Sequence, residues 1–250
     1  MNFERYESIG IKQTIRFEWM LKTVNLLLAG LDSKSIRMEL HEYLREKRGD
    51  GSIGERGETS RSQVVNMLMK IWVSPDQDLL TFRDSCLSYL SEKTDQPLAV
   101  HWAMVAAVYP FWFNVAQTTG RLLGLQDQAT QSQVVGRLKE QYGDRQTVAR
   151  YGRHTLRSFV TWGVLKDSVN KGSYEKTSLI SIKDSQPTIL LLESSIRASK
   201  ESKIPLKILL SSPSLFPFSL PSVPVEHISQ FNERLEVVRY GLDDTIVQII

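Results

Sequence analysis

The segment spanning residues 111–182 constrains the fold most, because three amphipathic helical patterns are followed there by two strand patterns. In the first pattern, from residue 111 to residue 125, apolar side chains recur at the spacing of one helical face. A second helix is predicted to open at Thr130, because Thr130 and Gln133 have the spacing of a capping box. Gly143 is a natural stop for this helix, since glycine readily adopts the left-handed conformation that ends many helices.

A third helix and a hairpin complete the segment. We expect the carboxylate of Asp144 to accept a hydrogen bond from the amide of Thr147 and so to cap the third helix. The few residues between the second and third helices predict the sharp turn of a helix-turn-helix unit. A strand from Val164 and a strand at residues 177–182 flank a loop at residues 167–172 that is rich in turn-forming residues. This order predicts a winged helix-turn-helix whose wing is a short β-hairpin.

Cationic side chains are concentrated in the same part of the chain. Residues 144–183 contain eight lysines and arginines against three acidic residues, a net charge of +5, whereas the whole 250-residue chain carries +3. On the predicted third helix, Arg150, Arg153 and Arg157 follow one another at i, i+3 and i+7, which places them on one stripe. Arginines on such a stripe can pair with guanine or clamp phosphate, and lysines on a wing suit phosphate.

We therefore predict a site for double-stranded DNA on the third helix, the start of the second helix and the wing. The side chains and amides expected to line the major groove or to hold phosphate belong to Arg145, Gln146, Thr147, Arg150, Arg153, His154, Arg157, Lys171, Lys176, Ser132 and Gln133. Two other interpretations stay open. The winged helix could dock protein within a larger assembly, or the chain could be a homodimeric transcription regulator.

The remainder of the chain predicts a mainly α protein with three domains. Residues 1–109 show helix after helix with short polar joins, which is typical of a helical bundle. The winged helix-turn-helix would occupy residues 110–185, and residues 186–250 would form an irregular C-terminal extension.

Three features are expected within the C-terminal extension. One more helix is predicted over residues 187–199. The serine- and proline-rich stretch at residues 211–224 cannot form a regular element, and we expect it to pack over the surface through Phe216 and Phe218. The last residues, from 235 onward, predict a hairpin whose apolar end needs a partner, so a homodimer through this segment is a further expectation.

Catalysis, cofactors and metals are not expected. None of the four histidines shows metal-ligand spacing with another, and Cys86 is the sole cysteine. The chain also lacks the sequence motifs of nucleophile elbows, zinc proteases and dinucleotide-binding loops. We therefore predict a protein without enzymatic activity, without a catalytic residue and without a cofactor or metal.

One apolar stretch could be mistaken for a membrane span. Residues 98–113 are almost wholly apolar, but they are too few for a span, contain His101 and are interrupted by Pro110. A buried core helix that kinks at Pro110 is therefore expected. No secretory signal is evident at the N-terminus, and the lone cysteine suits a reducing compartment, so we predict a cytoplasmic protein.

The layout also resembles a known family. The apolar run at residues 25–30, the run at residues 60–65, the step from Trp72 to Pro75 and the predicted winged helix ending at Leu165 are similar to the BrxA family of BREX phage-exclusion systems. The resemblance covers residues 10–185, and a broader defence-associated winged-helix family is equally admissible. It implies a bundle similar to the NusB fold, DNA binding, a bacterial defence setting and other defence-system proteins as partners.

Overall fold

The computed structural model describes residues 3–93, 95–240 and 244–250 and is mainly helical, with small sheets of two or three strands. The α-helices are α1 (Phe3–Glu7), α2 (Phe17–Leu28), α3 (Ser33–Tyr43), α4 (Glu58–Leu68), α5 (Leu80–Glu92), α6 (Pro97–Val108), α7 (Pro110–Leu125), α8 (Gln131–Tyr142), α9 (Gln146–Thr161), α10 (Ser185–Ala198), α11 (Leu206–Leu210) and α12 (Val225–Phe231). The strands are β1 (Gln128–Thr130), β2 (Leu165–Asp167), β3 (Ser173–Lys176), β4 (Ile180–Ser181), β5 (Lys203–Pro205), β6 (Phe218–Ser219), β7 (Leu235–Tyr240) and β8 (Asp244–Ile249). A π-helical turn spans Met69–Val73, and 3-10 helices span Gln77–Leu79 and Pro213–Leu215.

The apolar stretch that includes residues 98–113 forms two helices rather than one. Helices α6 and α7 each begin with a proline, and they meet at Tyr109 with a bend of 116°. Because Pro110 has no N–H and a fixed φ, it suits the first turn of a new helix. The predicted kink at Pro110 is confirmed. Among the described residues, no single helix has the length and apolar character to cross a membrane, and only this bent pair meets that test together.

The core is centred on aromatic residues from α6, α7 and α9. The ring of Trp102 stacks on Phe159 with centroids 4.9 Å apart, and Trp112 meets Phe159 edge-on at 4.8 Å. Phe216 and Phe218 approach Trp102 edge-on from the serine- and proline-rich stretch, at 6.0 and 5.7 Å. These two phenylalanines were expected to pack over the surface, but they contact the aromatic core, where Phe218 is buried and Phe216 is half-buried.

The predicted helices of the 111–182 segment are confirmed as α7, α8 and α9, but two local predictions are wrong. Helix α9 begins one residue later than expected, with Arg145 rather than Asp144 at the N-cap, and Asp144 forms an ion pair with Lys139 at 2.6 Å instead of capping Thr147. The second strand of the hairpin is β3, not residues 177–182. Only Ile180 and Ser181 of that predicted strand are extended, and they pair in parallel with β6.

The sheet beside α9 has three antiparallel strands in the order β1-β3-β2. Strand β1 lies between α7 and α8, where no strand was predicted. It contributes Ala129, which is fully buried opposite Tyr174 of β3. The sheet therefore joins the start of α8 to the hairpin that follows α9.

The C-terminal extension is more regular than predicted. Helix α10 confirms the expected helix and packs along α6. Strands β7 and β8 confirm the expected hairpin, and β5 extends it to a sheet in the order β5-β8-β7. The hairpin turn at residues 241–243 lies outside the described residues. The description of residues 186–250 as irregular is thus wrong except for the stretch at residues 211–224, which holds only a 3-10 turn and the two-residue β6.

Candidate nucleic-acid interface

Helix α9 has one exposed face and one buried face. Gln146, Arg150, Arg153 and Arg157 are exposed and follow one another at helical spacing, so the arginine stripe predicted from the sequence lies on the surface. The opposite face is buried in the core and consists of Val148, Gly152, Thr155, Leu156, Ser158 and Phe159. The helix is therefore half embedded, with its guanidinium groups directed away from the core.

The C-terminal half of α9 is fixed by hydrogen bonds to the segment before α2. The backbone N–H of Ile15 donates to Oγ of Ser158 at 2.8 Å, and Nε1 of Trp162 donates to the carbonyl oxygen of Ile15 at 2.9 Å. Both interactions are buried, where hydrogen bonds are costly to break. They fix the position and rotation of α9 relative to the segment before α2.

The N-terminal half of α9 packs closely on α8. A Cβ atom at Gly152 would lie 3.0 Å from Cδ1 of Leu138, so the absence of a side chain allows the two helices to approach. The connection at residues 143–145 turns sharply because Gly143 adopts a φ of 86°. Arg145 is exposed at this turn, and its guanidinium donates to the carbonyl oxygen of Tyr142 at 2.9 Å.

Three of the predicted arginines carry uncompensated charge. Among the described residues, no carboxylate forms an ion pair with Arg145, Arg150 or Arg153. The guanidinium of Arg150 lies over the ring of Tyr151, 5.2 Å from its centroid, an arrangement that leaves the charge available while limiting side-chain motion. Thr147, in the first turn of α9, is half-buried beside this surface.

Arg157 differs from the other arginines of the stripe because it is paired. Its Nη1 lies 2.5 Å from Oδ1 of Asp167, and the hydrogen bond raises the pKa of the guanidinium. Next to this pair, Nζ of Lys166 lies 3.0 Å from Oε2 of Glu175. Both pairs are largely exposed, so each contributes little to stability. They join α9 to β2 and β3, and they reduce the positive charge that Arg157 was expected to offer.

The loop between β2 and β3 extends the exposed surface. Lys171 is exposed there, Val169 is fully accessible, and Gly172 turns the chain with a φ of 79°. The carbonyl oxygen of Gly172 accepts a hydrogen bond from the amide of Gln131, the first residue of α8, at 2.7 Å. The loop is therefore fastened to the start of α8. Lys176, also exposed, lies at the far end of β3.

The start of α8 has the predicted capping box. Oγ1 of Thr130 accepts from the amide of Gln133 at 3.1 Å, and Oε1 of Gln133 accepts from the amide of Thr130 at 2.9 Å. The amide of Gln133 is consequently used within the cap and is not available for the phosphate expected there. Ser132 is exposed on the same turn, and its amide stays a candidate.

His154 lies between the exposed and buried faces of α9. Partial burial lowers the pKa of its imidazole, and the charges of Arg150 and Arg153 lower it further. The side chain is therefore neutral near pH 7. It can contribute a hydrogen bond to a ligand but not a positive charge.

Within residues 3–93, 95–240 and 244–250, no group of three or more histidines, cysteines, aspartates or glutamates is arranged so that it could hold a metal ion. Cys86 is fully buried on α5, and burial raises the pKa of its thiol well above the ordinary value. A thiol that stays protonated is a poor nucleophile.

Comparisons with protein-family models, with curated proteins and with solved structures gave no significant match. The candidate site therefore rests on its geometry alone.

The structure brings together the predicted residues of α9 and, through the Arg157–Asp167 pair, the hairpin of β2 and β3. The sequence did not reveal that Arg157 pairs with Asp167 or that Lys166 pairs with Glu175. Strand β1 was also missed, because three residues without alternating polarity give no strand signal.

Proposed function

We propose that this protein binds double-stranded DNA without catalysing a reaction, and that residues 110–185 act as a winged helix-turn-helix. The observation that supports this most directly is the exposed face of α9. Arg150 and Arg153 stand there without carboxylate partners among the described residues, on a helix whose other face is anchored in the aromatic core.

The dimensions and chemistry of α9 suit the major groove. An α-helix with its side chains is about 10–12 Å across, and the major groove of B-form DNA is about 12 Å wide. Gln146, Arg150 and Arg153 would face the bases or the groove walls. Arg145, Lys171 and the amide of Ser132 would hold the phosphates on either side, and Lys176 would add charge farther along β3. Arg157 would contribute after exchanging Asp167 for phosphate.

Salt dependence of binding tests this proposal. Binding of a random-sequence duplex is measured by fluorescence anisotropy between about 50 and about 200 mM salt, because each phosphate contact contributes roughly −0.9 to the slope of log affinity against log salt. For the Arg150→Ala/Arg153→Ala double variant we expect a weaker affinity and a slope smaller by about one to two. Arg239→Ala serves as the matched control, since Arg239 is an exposed arginine on β7.

Two outcomes would contradict the proposal. One is an affinity that does not depend on salt. The other is a double variant that keeps the slope of the unmodified protein while Arg239→Ala behaves identically. Circular dichroism of each variant separates loss of binding from loss of fold, because both arginines are exposed and their removal should leave the helix content unchanged.

The biological setting is proposed on the sequence resemblance alone. We infer an accessory role in bacterial phage defence, in the cytoplasm and together with other defence-system proteins. The same Arg150→Ala/Arg153→Ala variant offers a test in cells. If DNA binding serves defence, a host in which the unmodified protein reduces phage plating should lose that protection with the variant.

A further inference from the structure

A second surface, distinct from α9, is an apolar groove between the end of α7 and the serine- and proline-rich stretch. Its volume is about 760 Å³, and it is open to solvent along one side. Gly120 and Gly124 line it on the side of α7, and Pro213, Phe216 and Leu220 line it on the side of the serine- and proline-rich stretch. We refer to this surface as the α7 groove.

The α7 groove exposes large apolar side chains to solvent. Leu125 is 88% exposed and Leu179 is 57% exposed, and both line the groove. Single exposed leucines are ordinary, but two that flank one concave apolar surface are typical of an interaction site. Leu210 and Phe218 continue the same apolar lining toward the core. Burying these leucines under a partner would remove apolar surface from water, which favours association.

The charges at the α7 groove are all of one sign. Arg121 and Lys176 line it, and its described lining contains no aspartate or glutamate. Within the described ranges, neither cation forms an ion pair. A ligand for this groove therefore needs an apolar body to cover the leucines and carboxylates to meet the two cations.

We propose that the α7 groove binds a short segment of a partner protein that carries leucine-type side chains beside aspartates or glutamates. Nucleic acid fits less well, because a sugar-phosphate backbone meets the cations but offers nothing to the exposed leucines. The proposal does not depend on DNA binding by α9, although Lys176 lines the groove and is also proposed to add charge for DNA.

The first experiment uses three fluorescein-labelled peptides of equal length in a polarisation assay. One carries leucines with acidic residues, one carries the same leucines with lysines, and one carries the acidic residues with serines in place of leucines. We expect the acidic leucine peptide to bind about tenfold more tightly than either of the others. Equal affinities for the three, or no saturable binding of the acidic leucine peptide, would overturn the proposal.

The second experiment places substitutions in the α7 groove. Leu125→Asp and Leu179→Asp should each weaken the acidic leucine peptide about tenfold, and Arg121→Glu should shift the preference toward the lysine peptide. Leu28→Asp is the matched control, since Leu28 is an exposed leucine on α2 outside the groove. Unchanged peptide affinity in both leucine variants would contradict the proposal.

Two measurements on Leu125 variants separate the alternatives. The affinity of Leu125→Ser, which leaves the net charge unchanged, for duplex DNA should equal that of the unmodified protein, and a parallel loss of DNA binding would assign the groove to nucleic acid. Sedimentation should give the same oligomeric state with and without the substitution. A dimer that dissociates on Leu125→Asp would assign the groove to a second copy of this chain and overturn the proposal of a foreign segment.

Discussion

Gly120 lies where α7 touches the backbone of the serine- and proline-rich stretch. A Cβ atom at this position would lie 1.9 Å from the carbonyl oxygen of Pro213, a contact with backbone that no rotamer change can relieve. We expect Gly120→Ala to lower the free energy of unfolding by about 1–3 kcal/mol, the usual cost of overpacking. Urea denaturation measures the effect. Gly124→Ala, one turn farther on with open space around it, should raise stability by about 0.5–1 kcal/mol.

His101 is a fully buried imidazole without a hydrogen-bond partner among the described residues. The rings of Trp72 and Phe17 meet it edge-on at 5.0 and 5.3 Å. Burial lowers the pKa of His101 from 6.5 to about 3, because nothing nearby compensates the charge of an imidazolium. The folded protein therefore keeps this side chain neutral at pH values where the unfolded chain protonates it.

This pKa difference predicts a pH dependence of stability. Between pH 6.5 and about 3 the unfolded state binds one more proton at His101, so stability falls as the pH falls. The slope attributable to this residue is about 1.4 kcal/mol per pH unit. We expect His101→Phe to remove that slope relative to the unmodified protein, as measured by urea denaturation at several pH values. His41→Gln, at a half-buried position on α3, should retain it.

At the scale of one element, the capping box at the start of α8 contributes to the free energy of unfolding, and substitutions can measure this contribution separately. Oγ1 of Thr130 accepts a hydrogen bond from the amide of Gln133, so Thr130→Ala leaves this donor without its partner, whereas the backbone amide of residue 130 keeps its bond to the Gln133 side chain. We expect a loss of about 1 kcal/mol in the free energy of unfolding. Ser132→Ala changes an exposed residue of the same turn and should stay within about 0.5 kcal/mol. Equal losses for the two variants would show that the box contributes nothing.

Elements defined by local chemistry could be predicted from the sequence. Helices α7, α8 and α9 follow from apolar spacing, and Gly143 and Gly163 end the last two because each adopts positive φ. Elements defined by distant partners could not be predicted. Strand β1 exists because β3 pairs with it, and residues 177–182 lost their expected strand because β3 occupies the place beside β2.

The candidate site shows the same division. The exposed stripe of Arg150 and Arg153 follows from helical periodicity, which fixes the direction of each side chain once the buried face is known. The pairing of Arg157 with Asp167 depends on the register of β2 against β3 and on how that hairpin meets α9. Local residue spacing reveals neither the register of the hairpin nor its contact with α9. The positive charge available on the arginine stripe of α9 was therefore overestimated from the sequence.

At the scale of the whole molecule, a buried ionic cluster joins helix α10 to the segment that precedes β7. Glu193 of α10 is completely buried. Its carboxylate accepts hydrogen bonds from Arg197 at 2.7 Å, from Arg234 at 2.8 Å and from the side-chain Nδ2 of Asn232 at 2.5 Å. Arg197 in turn donates to the carbonyl oxygen of Asp78. The cluster thereby connects α10, the segment before β7 and the turn before α5.

The ionisation of Glu193 couples this cluster to pH. Burial alone would raise the pKa of the carboxyl, but the hydrogen bond and charge of Arg234, with the charge of Arg197, outweigh burial and hold it below 4.5. A lowered pKa means that the stabilisation is present above the ordinary value and is lost as the pH falls through the folded-state value. The segment around Arg234 should therefore be released as the pH falls through the folded-state pKa of Glu193.

Removing Glu193 should affect the molecule far from the substitution. Glu193→Ala leaves two guanidinium groups without their carboxylate, Arg197 being buried and Arg234 partly buried, so we expect a loss of about 3–5 kcal/mol, with the C-terminal hairpin becoming sensitive to protease. Glu226→Ala breaks the exposed pair with Arg239 and should cost less than about 1 kcal/mol. If the hairpin stays resistant in Glu193→Ala at neutral pH, its attachment depends on β5–β8 pairing and apolar packing, and the cluster is dispensable.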